Sequence, residues 1–131
     1  MLDTSLKVLI VEDDLSSQQY YSVIFEGNYE ICIVAIVAEA KQALKDDDFG
    51  VAIVDISLPG FESGIDLIRY LNHNFTDKPS LIVVTANAFP ENRVQALEAG
   101  ATEFFTKPIM SSILLDAVGK YMKRINSTMI P

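Results

Sequence analysis

The sequence predicts an α/β fold: a doubly wound (βα)5 sandwich around a parallel five-stranded sheet of order 2-1-3-4-5. Three observations carry that prediction. Short unbroken apolar runs recur, among them Val8–Val11, Val51–Val54 and Leu81–Val84, and such runs suit strands buried on both faces. Between them lie stretches whose apolar residues repeat at helical spacing. Glycine, proline or polar clusters punctuate the passages from one to the next. Alternating strands and helices demand a parallel sheet covered on both sides. Right-handed crossovers then leave doubly wound orders such as 2-1-3-4-5.

In chain order, Lys7–Val11 reads as the first strand and runs into three acids, Glu12, Asp13 and Asp14. Asp14 or Ser16 suits the N-cap of a helix over about Leu15–Glu26, with Tyr21, Ile24 and Phe25 on one face and Gly27-Asn28 as its stop. Glu30–Val37 reads as the second strand and Glu39–Lys45 as a short helix, followed by a solvated Asp46-Asp47-Asp48 loop. The third strand, Val51–Val54, ends at Asp55, and Pro59-Gly60 breaks the chain soon after. Ile65–Phe75 carries Ile65, Ile68, Leu71 and Phe75 at helical spacing. Leu81–Val84 is the fourth strand, ending at Thr85-Ala86-Asn87. Pro90 fits the first turn of the fourth helix, and Gly100 fits a left-handed close. Thr102–Thr106 is the fifth strand, ending at Lys107-Pro108. Leu114, Val118, Tyr121, Met122 and Ile125 mark the fifth helix, and Asn126–Pro131 carries no periodic signal.

The totals bound the answer. A chain of 131 residues, 50% hydrophobic and 21% charged, makes one domain over 1–131, with a core of about 7–124 and a tail over 126–131. The net charge of −8 argues against a nucleic-acid surface, which needs clustered Lys and Arg, and suits a divalent cation or a basic protein partner. No apolar run approaches the roughly 20 residues that span a bilayer, so no membrane contact is expected. Met1-Leu2-Asp3-Thr4 lacks the features of a secretory signal, and a cytoplasmic protein is expected. The single cysteine, Cys32, reads as inert filler. His73, the single histidine, reads as a solvent-facing helix residue without companion ligands.

The chemistry collects at the carboxyl ends of the strands, where open α/β sheets place their crevices. Strands one, three, four and five lie side by side in the predicted order and bring Asp13, Asp14, Asp55, Thr85 and Lys107 to one crevice. Two carboxylates about 4 Å apart repel by roughly 4 kcal/mol at an effective dielectric of 20, so three of them call for a cation. Oxygen ligands suit Mg²⁺, which takes one or two carboxylates alongside phosphate oxygens. An aspartate can serve as nucleophile and become an aspartyl phosphate, with Lys107 and the Thr85 hydroxyl meeting the phosphoryl oxygens.

Together these motifs (Glu12-Asp13-Asp14, Asp55 with Pro59-Gly60 and Gly64, Thr85-Ala86, and Lys107-Pro108) resemble the receiver domain of two-component response regulators, from about Lys7 to Arg124. That family has the flavodoxin-like fold and includes the single-domain chemotaxis regulators. The resemblance implies that Asp55 accepts a phosphoryl group from a phosphohistidine on a sensor histidine kinase or histidine phosphotransfer protein. It implies Mg²⁺ or Mn²⁺ held by Asp14, Asp55 and the Ser57 backbone carbonyl, with Asp13 acting directly or through water. Thr85, Ala86 and Lys107 would contact the phosphoryl group. Thr85 and Phe104 would be the switch pair that remodels the face of the fourth helix, fifth strand and fifth helix for a downstream protein. The Lys107–Pro108 bond resembles one that is cis in the family. A monomer or weak phosphorylation-dependent dimer is expected, as is a signalling domain that assists its own phosphorylation and dephosphorylation rather than an enzyme.

Several features depart from the common pattern. Phe104 stands where many members have Tyr, and the loop from Asp55 to Gly64 is one residue longer. Ser57 and Asn87, each two residues beyond a key position, are too modest to exclude water by bulk, so no unusually long-lived phosphoryl group is expected. Three rivals fit less well. A haloacid-dehalogenase phosphatase needs a second Asp where Ser57 stands; a nucleotide- or flavin-binding domain needs a phosphate loop where the three acids stand. The third is a docking module that works without phosphorylation, against which the intact residue set argues. No output module follows the fifth helix, so the chain reads as a stand-alone regulator or as a receiver cut from a larger hybrid kinase or transcription factor.

Overall fold

The computed structural model describes residues 7–129, with side chains described from Lys7 to Met122. Five strands form one parallel sheet of order β2-β1-β3-β4-β5. They are β1 (Lys7–Val11), β2 (Glu30–Val34), β3 (Val51–Val54), β4 (Ser80–Thr85) and β5 (Glu103–Thr106). Between and after them run α1 (Leu15–Phe25), α2 (Val37–Asp46), α3 (Gly64–Asn74), α4 (Pro90–Ala99) and α5 (Ser111–Met129). The predicted fold class and strand order are those observed.

The two faces of the sheet separate by strand parity. Val8, Ile10, Val51, Ile53, Ile82 and Val84 pack with Tyr21 and Phe25 of α1 and with Leu114, Val118, Tyr121 and Met122 of α5. Leu9, Val11, Ala52, Val54, Leu81 and Val83 pack with α2, α3 and α4 through residues such as Leu44, Leu67, Leu71 and Ala96. Successive side chains of a strand point to opposite faces, so an unbroken apolar run feeds both layers at once. Ile125 of the predicted α5 face lies outside the residues whose side chains are described.

Element ends differ from the sequence reading where local hydrogen bonds decide them. β2 stops at Val34, not Val37, because β1 has by then run out of partners, Val11 pairing with Val34. The Ala35 amide instead donates to Glu39 Oε1 at 2.9 Å, and α2 starts at Val37. α5 continues through Met129 where an irregular tail was expected from Asn126. Helix propagation adds one bond per residue fixed, and the sequence offers no breaker until Pro131. Gly100 closes α4 with φ +128, as its position predicts.

Register sets the site. β1 and β3 align Val11 with Val54, and β4 and β5 align Thr85 with Thr106. The chain therefore leaves four adjacent strands at nearly the same level, with Glu12, Asp55, Thr85 and Lys107 at or just beyond their ends.

Candidate phosphoacceptor site

Asp55 follows β3 directly, and its amide donates to Val11 O at 3.1 Å, extending the β1–β3 ladder by one residue. That bond fixes the carboxylate at the mouth of the sheet, where it is only 7% exposed. Asp55 Oδ1 accepts from the Ser57 amide at 2.9 Å and from Thr85 Oγ1 at 2.8 Å. Asp55 Oδ2 accepts from Lys107 Nζ at 3.1 Å. Thr85 is fully buried at the end of β4, and its hydroxyl in turn accepts from the Asn87 amide at 3.1 Å.

Lys107 spends all three ammonium hydrogens inside the crevice. Besides Asp55 it donates to Glu12 Oε1 at 2.6 Å and to Ser17 Oγ at 3.1 Å. Burial pulls the Lys107 ammonium down, but the bonds to Glu12 and Asp55 outweigh it and the net shift is upward. The neighbouring Pro108 follows a cis peptide bond, as the resemblance implied. Ala86 begins the exposed loop after β4, next to the buried Thr85.

Glu12 is the residue that sequence reasoning left without a role. It is 1% exposed, its amide bonds Val34 O at 2.9 Å, and its Oε2 accepts from the Asp14 amide at 3.1 Å. Burial raises its pKa, and the bonds from Lys107 and the Asp14 amide oppose that rise. The signal was present in strand parity. Glu12 continues the series Val8, Ile10, so its side chain leaves the sheet on the α1–α5 side, beside Lys107 and Ser17.

Asp14, expected both as a metal ligand and, with Ser16, as a candidate helix cap, is the N-cap of α1. Its Oδ2 accepts from the Ser17 amide at 2.9 Å and from Ser17 Oγ at 3.0 Å, and those bonds lower its pKa. Among the described residues, no three His, Cys, Asp or Glu side chains are grouped to hold a metal. Lys107 bridges Asp55 and Glu12, and Asp13, the residue after Glu12, is exposed. These donors, with the Ser57 carbonyl next in the loop, are all hard oxygens. That set fits Mg²⁺, which keeps several waters and takes only one or two carboxylates.

Phe104 lies on β5 and is buried in the α2–α3–α4 layer. Arg93 of α4 covers its ring at 5.7 Å from the centroid and donates to the Phe104 carbonyl at 3.2 Å. Thr85 thus faces the carboxylate while Phe104 points inward. His73 is exposed on α3, as expected, and Cys32 is half-buried on the edge strand with burial raising its thiol pKa.

Comparisons with known proteins agree with this fold. The family model for the response regulator receiver domain matches residues 8–119. The response regulator RppA of Synechocystis is 31% identical over 122 residues, covering 91% of this chain and 51% of that protein. Against the transcriptional regulatory protein FlgR of Helicobacter pylori, identity is 29%, covering 90% of this chain and 30% of that protein. The chain thus spans about half the length of the first of these curated relatives and under a third of the second. A CheY-like response regulator receiver domain protein from Methanospirillum hungatei superimposes with a TM-score of 0.83 at 31% identity, over 93% of this chain and 97% of that one. The signal receiver domain of a histidine kinase from Syntrophus aciditrophicus gives 0.81 at 28%, over 91% of both chains.

Proposed function

This chain belongs to the response regulator receiver domain family, signalling domains of two-component systems rather than classical enzymes, and on that premise we propose that it is switched by phosphorylation of Asp55. Response regulators interact with histidine kinases and phosphotransfer proteins. A phosphohistidine on one of these is the proposed donor. The observation that carries the reading is the grip on Asp55, a buried carboxylate bonded at once by Lys107, Thr85 and the Ser57 amide.

An oxygen of the Asp55 carboxylate attacks phosphorus, and the bond from phosphorus to the donor imidazole nitrogen breaks, its electron pair returning to the ring. Lys107 offsets charge on the transferring oxygens, and Glu12 holds the ammonium in position from the far side. The Thr85 hydroxyl is within reach to exchange its carboxylate acceptor for a phosphoryl oxygen. Receiver domains generally bind Mg²⁺ at the acidic pocket. Glu12, Asp13, Asp55 and the Ser57 carbonyl would hold it or its waters here. When bound it supplies charge neutralisation at the phosphoryl oxygens. The inward arrangement of Thr85 and Phe104, capped by Arg93, ties α4 and β5 to the site, which supports a partner-binding face formed by α4, β5 and α5. Exposed Val94 and Leu97 of α4 and Ile113 of α5 supply its apolar surface.

Intact-protein mass after incubation with acetyl phosphate tests the reading, with and without Mg²⁺, for the wild type and Asp55→Asn. A Mg²⁺-dependent gain of one phosphoryl group, absent from Asp55→Asn, is expected. No gain in the wild type, together with no beryllofluoride complex, would make this a docking module that works without phosphorylation.

A further inference from the structure

The Asp55 crevice is spanned by a chain of side-chain hydrogen bonds that the phosphotransfer step does not use. Asn87 Nδ2 donates to Ser57 Oγ at 3.3 Å, joining the loop after β4 to the loop after β3. On the other side of the same carboxamide, Asn92 Nδ2 donates to Asn87 Oδ1 at 2.8 Å. Ser57 and Asn87 are also tied to the reacting group from below: the Ser57 amide donates to Asp55 Oδ1, and the Asn87 amide donates to Thr85 Oγ1, which donates to the same Asp55 oxygen. The result is a closed ring, Asp55–Ser57–Asn87–Thr85, anchored from outside by one residue of α4. Asn92 is well placed for that task. It sits in the first turn of α4, half-buried, with its own amide held by Phe89 O at 2.9 Å.

We infer that Asn92 is a positioning residue that holds the Asn87 carboxamide across the mouth of the crevice and so limits the access of water to the aspartyl phosphate. The inference rests on Asp55 being the phosphoacceptor. The step it governs is hydrolysis. A water oxygen attacks phosphorus, the bond from phosphorus to the Asp55 oxygen breaks, the carboxylate recovers the electron pair, and inorganic phosphate leaves with the water's second proton passing to solvent. Neither Ser57 nor Asn87 is bulky enough to block that approach by size, so the control lies in how long Asn87 stays across the opening. Without Asn92 the bridge rests on its single, longer bond to Ser57.

The test follows decay of the phosphorylated protein by intact mass, after removal of acetyl phosphate, for wild type, Asn92→Ala, Asn87→Ala and the double variant, with thermal midpoints measured on each. Asn92→Ala is expected to shorten the lifetime about fivefold, the population change that follows loss of one neutral hydrogen bond. In the Asn87→Ala background the same substitution is expected to change nothing, because Asn92 acts only through Asn87. Equal lifetimes for Asn92→Ala and wild type would overturn the inference. So would an Asn92→Ala effect of the same size in both backgrounds, which marks a general effect on α4. Failure of the wild type to take up phosphate at all would instead refute the reading of Asp55.

Discussion

Gly64→Ala tests how closely Asp55, the proposed phosphoacceptor, is held. Gly64 opens α3, and its amide donates to Ile56 O at 3.2 Å, so the helix start is pinned against the two residues that follow β3. A methyl group built there would lie 2.7 Å from Ile56 Cα and 2.9 Å from the Asp55 carbonyl carbon, and closer still to the Asp55 carbonyl oxygen. All three are backbone atoms, with no side chain to swing aside, so α3 and the end of β3 must separate by roughly half an ångström or more. Overpacking of this kind costs about 1–3 kcal/mol. For a domain of this size each kcal/mol lowers the melting temperature by about 4 °C, so a fall of about 4–12 °C is expected by circular dichroism. The kinetic effect is larger in proportion. A displacement of about 1 Å at a reacting group costs about a hundredfold, so the rate of Mg²⁺-dependent phosphorylation by acetyl phosphate is expected to drop at least about tenfold. Gly60→Ala is the control. Gly60 has φ +100 and open space around its α-carbon, so alanine there costs about 1–2 kcal/mol of backbone strain and leaves the phosphorylation rate unchanged. A Gly64→Ala protein that melts within a degree or so of wild type and phosphorylates at the same rate would refute the argument.

Asp14→Ala is expected to cost about 1 kcal/mol, the value of a helix N-cap, and to leave Mg²⁺-dependent phosphorylation within about twofold of wild type. Abolished phosphorylation in a folded variant would return Asp14 to the metal site. Lys107 carries a pH signature. Its pKa is raised in the folded state, so the stability it contributes is present below about pH 10.5 and is lost as pH rises through the higher folded value. The gap in urea stability between wild type and Lys107→Met should accordingly be wide at pH 8 and shrink above about pH 10.5, and a gap that widens with pH would contradict the placement of Lys107 between Glu12 and Asp55.

The sequence alone determined the layers and most of the residues that gather at the strand ends. Buried parallel strands must be apolar on both faces, so Val51–Val54 and Leu81–Val84 announced themselves. Breakers such as Pro90 and Gly100 act through their own backbone preferences, which need no partner, and they stood where the structure has them. Asp55, Thr85 and Lys107 were legible for a related reason: each is a polar residue at the end of an apolar run, and the strand order that follows from alternation makes those ends neighbours. The tertiary structure decided what depends on direction. Three acids in a row cannot be told apart by composition, yet strand parity sends Glu12 inward to Lys107 while Asp14, at the turn into α1, finds free amides to cap. β2 ended early because its neighbour ended, which is a property of the pair and not of Ala35 to Val37. The Ser57–Asn87–Asn92 bridge joins side chains from two loops and a helix, and no local propensity or spacing encodes a hydrogen bond that exists only once β3 and β4 lie side by side.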